Sequence, residues 1–221
     1  MDHATPTDAI EFQAGPAGAT LSGSLFLPDR PLGLVVFAHG SGSSRFSPRN
    51  RAVADYLNRA DLATFLFDLL TAEEHEVDQY TRQFRFDIDL LSERLVGTID
   101  WVSQYALTAD LPIGLFGAST GAAAALRAAA ERPESVAAVV SRGGRPDLAE
   151  ERLPEVLAPT LLIVGGYDDV VIELNRLAAE RMNAVNRLEI VPGATHLFEE
   201  PGTLEKVQEL ARDWFLEYLR R

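Results

Sequence analysis

A serine, a carboxylate and a histidine, each in a turn just beyond an apolar run, are the residues of this chain best suited to chemistry. Gly117-Ala118-Ser119-Thr120-Gly121 is a G-x-S-x-G segment between an apolar run ending at Phe116 and an alanine-rich helical stretch. A serine in so tight a strand-to-helix turn takes strained backbone angles that project its hydroxyl out of the sheet. Small residues at 117 and 121 let strand and helix approach without clashes. The helix N-terminus then favours negative charge as it develops. A serine there can also be an ordinary helix N-cap, so reading Ser119 as a nucleophile depends on its partners.

Of the four histidines, His196 lies in VPGATHLFEEPG, between the last apolar run and the closing helix. From that loop it can reach Ser119 and act as general base, then general acid. The alternative is a solvated surface histidine. His3 falls in a fraying terminus and His75 in an acidic loop, both read as solvated, and His39 is read as architectural. The base needs a carboxylate to hold its tautomer. TLLIVGGYDDVV offers Asp168, carried back over the sheet edge by Gly165-Gly166-Tyr167, while Asp169 suits the first turn of a helix. The catalytic set is thus Ser119, Asp168 and His196. Their chain order is the one expected on an α/β-hydrolase sheet.

Acyl transfer also needs donors aimed at an oxyanion, each worth ~3 kcal/mol. The backbone N–H of Thr120 is one. The loop His39-Gly40-Ser41-Gly42-Ser43-Ser44-Arg45 supplies the other, from Ser41 or, second, Gly42. A flexible glycine–serine loop accounts for that composition but not for its position. Arg45 in this loop and Arg142 in VVSRGGRPD can clamp a substrate carboxylate. Internal salt bridges, for instance to Asp68, explain both arginines equally well.

The elements around these turns follow from hydrophobic pattern. Ile10 to Ala14 and Ala19 to Leu27 alternate about a GPAG turn and read as an antiparallel hairpin. GLVVFA, LATFLF, LPIGLF, VAAVVS, TLLIVG and RLEIVP are short runs suited to parallel strands. Helices are expected near Arg51 to Arg59, over one long stretch from about Tyr80 to Tyr105, after Ser119 until Pro133, from Val171 to Met182, and from Thr203 to Arg220. A short polar connection follows VAAVVS. The fold class is α/β: a mostly parallel sheet with helices on both faces and an antiparallel hairpin at its edge. Such sheets bind ligands beyond the carboxyl ends of their strands.

The 221 residues suit one α/β domain over 1–221, and 47% apolar content supplies its core. With no cysteine, thiolate chemistry and disulfides are excluded. The first residues lack the basic start and apolar stretch of a signal peptide, and no apolar run approaches the ~20 residues of a membrane span. A cytoplasmic setting is expected. A net charge of −13 disfavours nucleic acid and anionic membranes as partners. No metal or organic cofactor is implied, since the histidines lack ligand spacing. No G-x-G-x-x-G or G-K-[ST] follows the early strands, which disfavours nucleotide enzymes.

From FAHGSGSSR through GLFGASTGAAAAL and IVGGYDD to VPGATHLFEEPG, the chain resembles the α/β-hydrolase superfamily, and within it the dienelactone-hydrolase-like proteins. The resemblance implies the same triad and oxyanion hole. Dienelactone hydrolase itself uses a cysteine where this chain has Ser119, so its cycloalkenyl lactone substrate is not carried over. No insertion between Val136 and Val171 is large enough for a lid domain, so an open site is expected. The expected activity is cleavage of small carboxylic esters, thioesters or lactones through an acyl-enzyme. An acyltransferase or perhydrolase with the same triad, and a non-catalytic binding protein, are the alternatives. Monomer and homodimer are equally compatible with the sequence.

Overall fold

The computed structural model describes residues 9–15 and 18–220; His3 and the middle of the GPAG turn lie outside them. The strands are β1 (Ile10–Ala14), β2 (Ala19–Phe26), β3 (Gly33–Ala38), β4 (Leu62–Phe67), β5 (Ile113–Ala118), β6 (Val136–Arg142), β7 (Thr160–Gly165) and β8 (Asn186–Val191). They form one eight-stranded sheet in the order β1-β2-β4-β3-β5-β6-β7-β8. β1 and β2 pair antiparallel, as do β2 and β4, and every other pairing is parallel. The expected edge hairpin on a mostly parallel sheet is what the chain forms. β3, β4, β5 and β7 are buried along their whole length, which is why they read as unbroken apolar runs rather than alternating ones.

The helices are α1 (Pro48–Asn58), α2 (Ala72–Thr81), α3 (Ile88–Val102), α4 (Thr120–Glu131), α5 (Asp169–Arg181) and α6 (Thr203–Tyr218). On one face Leu57 of α1 and Trp214 and Phe215 of α6 pack on Val35, Phe116 and Val140 of the sheet. On the other face Leu95 and Ile99 of α3 and Leu126 of α4 pack on Leu34, Phe65 and Leu115.

Three expectations need correction. The stretch from Tyr80 to Tyr105 is not one helix, and the acidic segment AEEHE, with His75, is helical rather than a loop. Thr71 starts α2 with a capping box: its hydroxyl accepts the Glu74 N–H (3.2 Å), and the Glu74 carboxylate accepts the Thr71 N–H (2.9 Å). Arg82, at φ 58°, ends the helix in the left-handed region. The buried Asp78 carboxylate then accepts the Phe84 N–H (2.8 Å) and Arg85 N–H (3.1 Å), folding the chain back before Asp87 caps α3. The connection after β6 is also structured, as a 3₁₀ segment over Pro146–Glu155. Its two prolines remove backbone donors, so the polar pattern concealed it.

Strand order changes direction at β3: β4 lies on one side and β5 on the other. That switch opens a crevice beyond the carboxyl ends of β3 and β5. The loop after β3 and the turn after β5 therefore meet.

Candidate active site

Ser119 stands between β5 and α4 at φ 51°, ψ −119°, a conformation L-residues rarely adopt. It occupies the N-cap position of α4, yet its side chain makes no capping hydrogen bond. The helix-cap reading thus fails to use the hydroxyl. The turn is held from both sides: the Ser119 N–H donates to the Arg142 carbonyl, and the Ser119 carbonyl accepts the Arg145 N–H, both at 3.2 Å. The two motif glycines are steric necessities. A Cβ on Gly117 would lie 2.7 Å from the Ala122 nitrogen, and one on Gly121 2.5 Å from the His39 carbonyl oxygen.

Asp168 follows β7 and is the cap residue of α5, with Asp169 the first helical residue, as their turn positions suggested. Its backbone N–H closes the turn on the Gly165 carbonyl (3.0 Å). Asp168 makes no side-chain cap; its Oδ2 lies 2.6 Å from His196 Nδ1. The contact is partly sheltered, with side-chain exposures of 17% for Asp168 and 39% for His196. With Nδ1–H donating to the carboxylate, the imidazole Nε2 keeps its lone pair.

The His196 loop is pinned at several points. Phe198, buried in the core cluster against α6 and at φ 55°, turns the chain. The Glu200 carboxylate accepts the Thr195 N–H (3.0 Å), and hydrogen bonding by Thr195 holds its carboxyl below the usual range. Gly143, just after β6, lies against the imidazole: a Cβ there would be 3.5 Å from His196 Nδ1 and Cε1. The imidazole and Ser119 thus flank the same short turn. Among the described residues no hydrogen bond joins the Ser119 hydroxyl to His196, a contact that in unliganded sites often tightens only around substrate.

The loop after β3 runs beside the serine, where a Cβ on Gly40 would lie 3.4 Å from the Ser119 Cβ. Ser41 and Gly42 are exposed on this loop, and Gly42 takes φ 72°. Thr120 is buried, and its N–H, first in α4, has no carbonyl behind it in the helical ladder. His39 anchors the loop from below. Its Nδ1 donates to the Gly40 carbonyl (2.9 Å) and its Nε2 accepts the Leu69 N–H (3.1 Å). Burial lowers its proton affinity, more than the Gly40 bond and the Asp68 charge raise it, so the ring is neutral. The architectural reading of His39 fits this placement.

The two arginines part company. Arg45 forms an ion pair with Asp68, whose Oδ1 also accepts the Arg45 N–H (2.7 Å). Its guanidinium is committed to the internal bridge that was the alternative to substrate binding. Among the described residues Arg142 has no such partner. Its Nη2 donates to Asn50 Oδ1 (3.2 Å), while Nε and Nη1 are buried without a partner. No local pattern points to Asn50, because it lies in α1, remote in the chain.

Residues 32–213 match the family described as alpha/beta hydrolase domain. The chain belongs to that family. A dienelactone hydrolase from Anabaena variabilis, known as a crystal structure, is 57% identical, covers 97% of this chain and 99% of its own, and superposes with a TM-score of 0.93. Within the alpha/beta hydrolases the chain is therefore a dienelactone-hydrolase-like protein. Est1E from Butyrivibrio proteoclasticus shares the fold at 17% identity, with a TM-score of 0.79 over 96% of this chain and 98% of its own. Two strains of Mycobacterium tuberculosis hold a protein named as a proposed phosphoribosyl transferase, 56% identical over 212 residues. That match takes in 96% of this chain but only 46% of the relative, so the chain spans less than half the length of those relatives.

Proposed function

We propose that this alpha/beta hydrolase is a serine esterase that cleaves small carboxylic esters, thioesters or lactones through an acyl-enzyme on Ser119. The observation that carries the reading is the 2.6 Å contact between Asp168 Oδ2 and His196 Nδ1, formed on two loops at the carboxyl end of the sheet, the end that also presents Ser119. In this mechanism His196 Nε2 takes the Ser119 proton as the oxygen attacks the acyl carbon. The Asp168 carboxylate stabilises the imidazolium that results. The N–H groups of Thr120 and Ser41 receive the oxyanion. The tetrahedral species collapses as His196 passes the proton to the leaving alkoxide. Water, deprotonated by the same imidazole, then attacks the acyl-enzyme and frees Ser119.

The open loops and the absence of a lid insertion support small or exposed acyl groups, and the lack of cysteine accords with a cytoplasmic setting. Acyl transfer to an alcohol or peroxide uses the same intermediate, and product analysis with added acceptor separates it from hydrolysis. The transferase named for the mycobacterial relatives belongs, in our reading, to the half of those proteins outside the shared segment. This chain is accordingly expected to leave phosphoribosyl pyrophosphate unconsumed.

A fluorophosphonate probe should label Ser119, and labelling should vanish in Ser119→Ala. That variant should stay folded while ester turnover falls by about 10⁴-fold or more. Undiminished labelling or turnover in Ser119→Ala would refute the assignment.

A further inference from the structure

Arg142 ends β6 directly beside the elbow, paired across the sheet with Ala118, and its carbonyl receives the Ser119 N–H. Like Ala138 and Val140 before it, its side chain leaves the sheet on the face that packs on α1 and α6. There it is 8% exposed, and the 2% exposed Asn50 of α1 is its hydrogen-bond partner. Two of its three nitrogens are buried without a partner, and among the described residues it makes no ion pair.

This is unusual for the chain. The sheltered arginines Arg45, Arg85 and Arg94 each hold a carboxylate, from Asp68, Asp78 and Glu74. With 33 acidic residues against 20 basic ones, carboxylates are not scarce. Arg49 precedes Asn50 in the first turn of α1, so a second cation adjoins the residue that holds Arg142, and its Nε is also buried without a partner. Burial, and then the Arg49 charge, push the Arg142 guanidinium down to about 10. A buried charge left uncompensated is costly, and a second like charge makes it more so.

The same corner is the N-terminus of α1, capped by Ser47, with Pro48 at its start and no acidic residue in the first turn. The helix end adds positive potential and nothing within the turn cancels it. Among the described residues Glu199 is the carboxylate paired with Arg49, with Oε1 3.5 Å from Arg49 Nη1, on a side chain that is 64% exposed. It follows His196 by three residues, so the corner is bounded by the elbow strand, the histidine loop and the helix that follows the oxyanion loop.

We propose that Arg142 and Arg49 form a phosphate subsite next to Ser119, that the esters cleaved carry a phosphate group, and that Glu199 is the carboxylate this group displaces. Charge decides between anions: a phosphate monoester brings about −1.5 to −2 at neutral pH and matches two guanidiniums, whereas one carboxylate leaves a buried cation unmatched. Asn50 is a positioning residue that fixes the Arg142 plane. The assignment of substrate class rests on the esterase reading above; the subsite itself does not.

Isothermal titration of the full chain with inorganic phosphate, at constant ionic strength, tests it. Phosphate should bind more tightly than succinate. Arg49→Gln, on the open side of the corner, should weaken binding tenfold or more, and Glu199→Gln should tighten it several-fold by removing the competing carboxylate. Absence of phosphate binding, a preference for succinate, or affinities unchanged in both variants would overturn the subsite. A neutral ester assayed in parallel keeps the two readings apart. Turnover of that ester without phosphate binding defeats the subsite alone, and phosphate binding without turnover of any ester defeats the esterase reading alone.

Discussion

The strain at Ser119 sets up a measurable trade between stability and chemistry. A non-glycine residue at φ 51°, ψ −119° costs about 1–3 kcal/mol. Glycine relieves that strain but gains about 0.5–1 kcal/mol of unfolded-state entropy. The strain is the larger quantity. Ser119→Gly is therefore expected to raise stability by about 1 kcal/mol while abolishing fluorophosphonate labelling, read by denaturant melts beside the labelling assay. A fall in stability would mean that the elbow is not strained. Neighbouring Asp168 and Asp169 show how narrow the residue-scale decision is: one contacts the imidazole and the other opens α5.

Elements position these side chains through close backbone contacts rather than through large side chains. Gly121 lies in the first turn of α4 against the carbonyls of Ala38 and His39, so the helix, the Ser119 turn and the loop after β3 share one tight contact. Alanine would improve helix propensity by about 1 kcal/mol. Overpacking against unyielding backbone costs typically 1–3 kcal/mol, and the clash wins. Gly121→Ala should thus lower the melting temperature, and under the proposed mechanism it should reduce ester turnover more than stability alone predicts because the loop after β3 moves with it. At the other end of the loop network, Thr71→Ala removes a capping box from α2 and should cost about 1 kcal/mol by denaturant titration, with turnover of small esters preserved. The same capping box, T-x-x-E before a modest apolar pattern, was readable in the sequence. Its helix was missed because α2 buries so little that no apolar stripe announces it, with Asp78 as its buried residue.

At the scale of the whole molecule, pH should act through groups whose proton affinity the fold changes. His39 is buried and neutral, with its affinity lowered from 6.5, so the unfolded chain binds a proton that the folded chain resists. Its contribution is fully present above pH 6.5 and is lost as pH falls below that value. Burial raises Asp78, but hydrogen bonds from Arg85 and Phe84 outweigh it and leave the carboxyl below 3.8. That second contribution is present above pH 3.8 and lost on further acidification. Melting temperature should therefore decline in two stages, and His39→Asn should flatten the first stage. Equal slopes in both proteins below pH 6.5 would remove His39 from the account.

The sequence by itself determined the strand–serine–helix turn, the order of serine, aspartate and histidine, and the parallel sheet. Each is written locally: buried strands as apolar runs, turns as glycines, helix starts as capping residues. Tertiary structure alone decided which charges meet. Arg45 met Asp68, while Arg142 met Asn50 and, among the described residues, no carboxylate. Asn50 and Arg142 are 92 positions apart in the chain, and no local pattern encodes a pairing across that distance. Burial turns such a meeting into chemistry, because a charge that water would screen on the surface must find its partner inside.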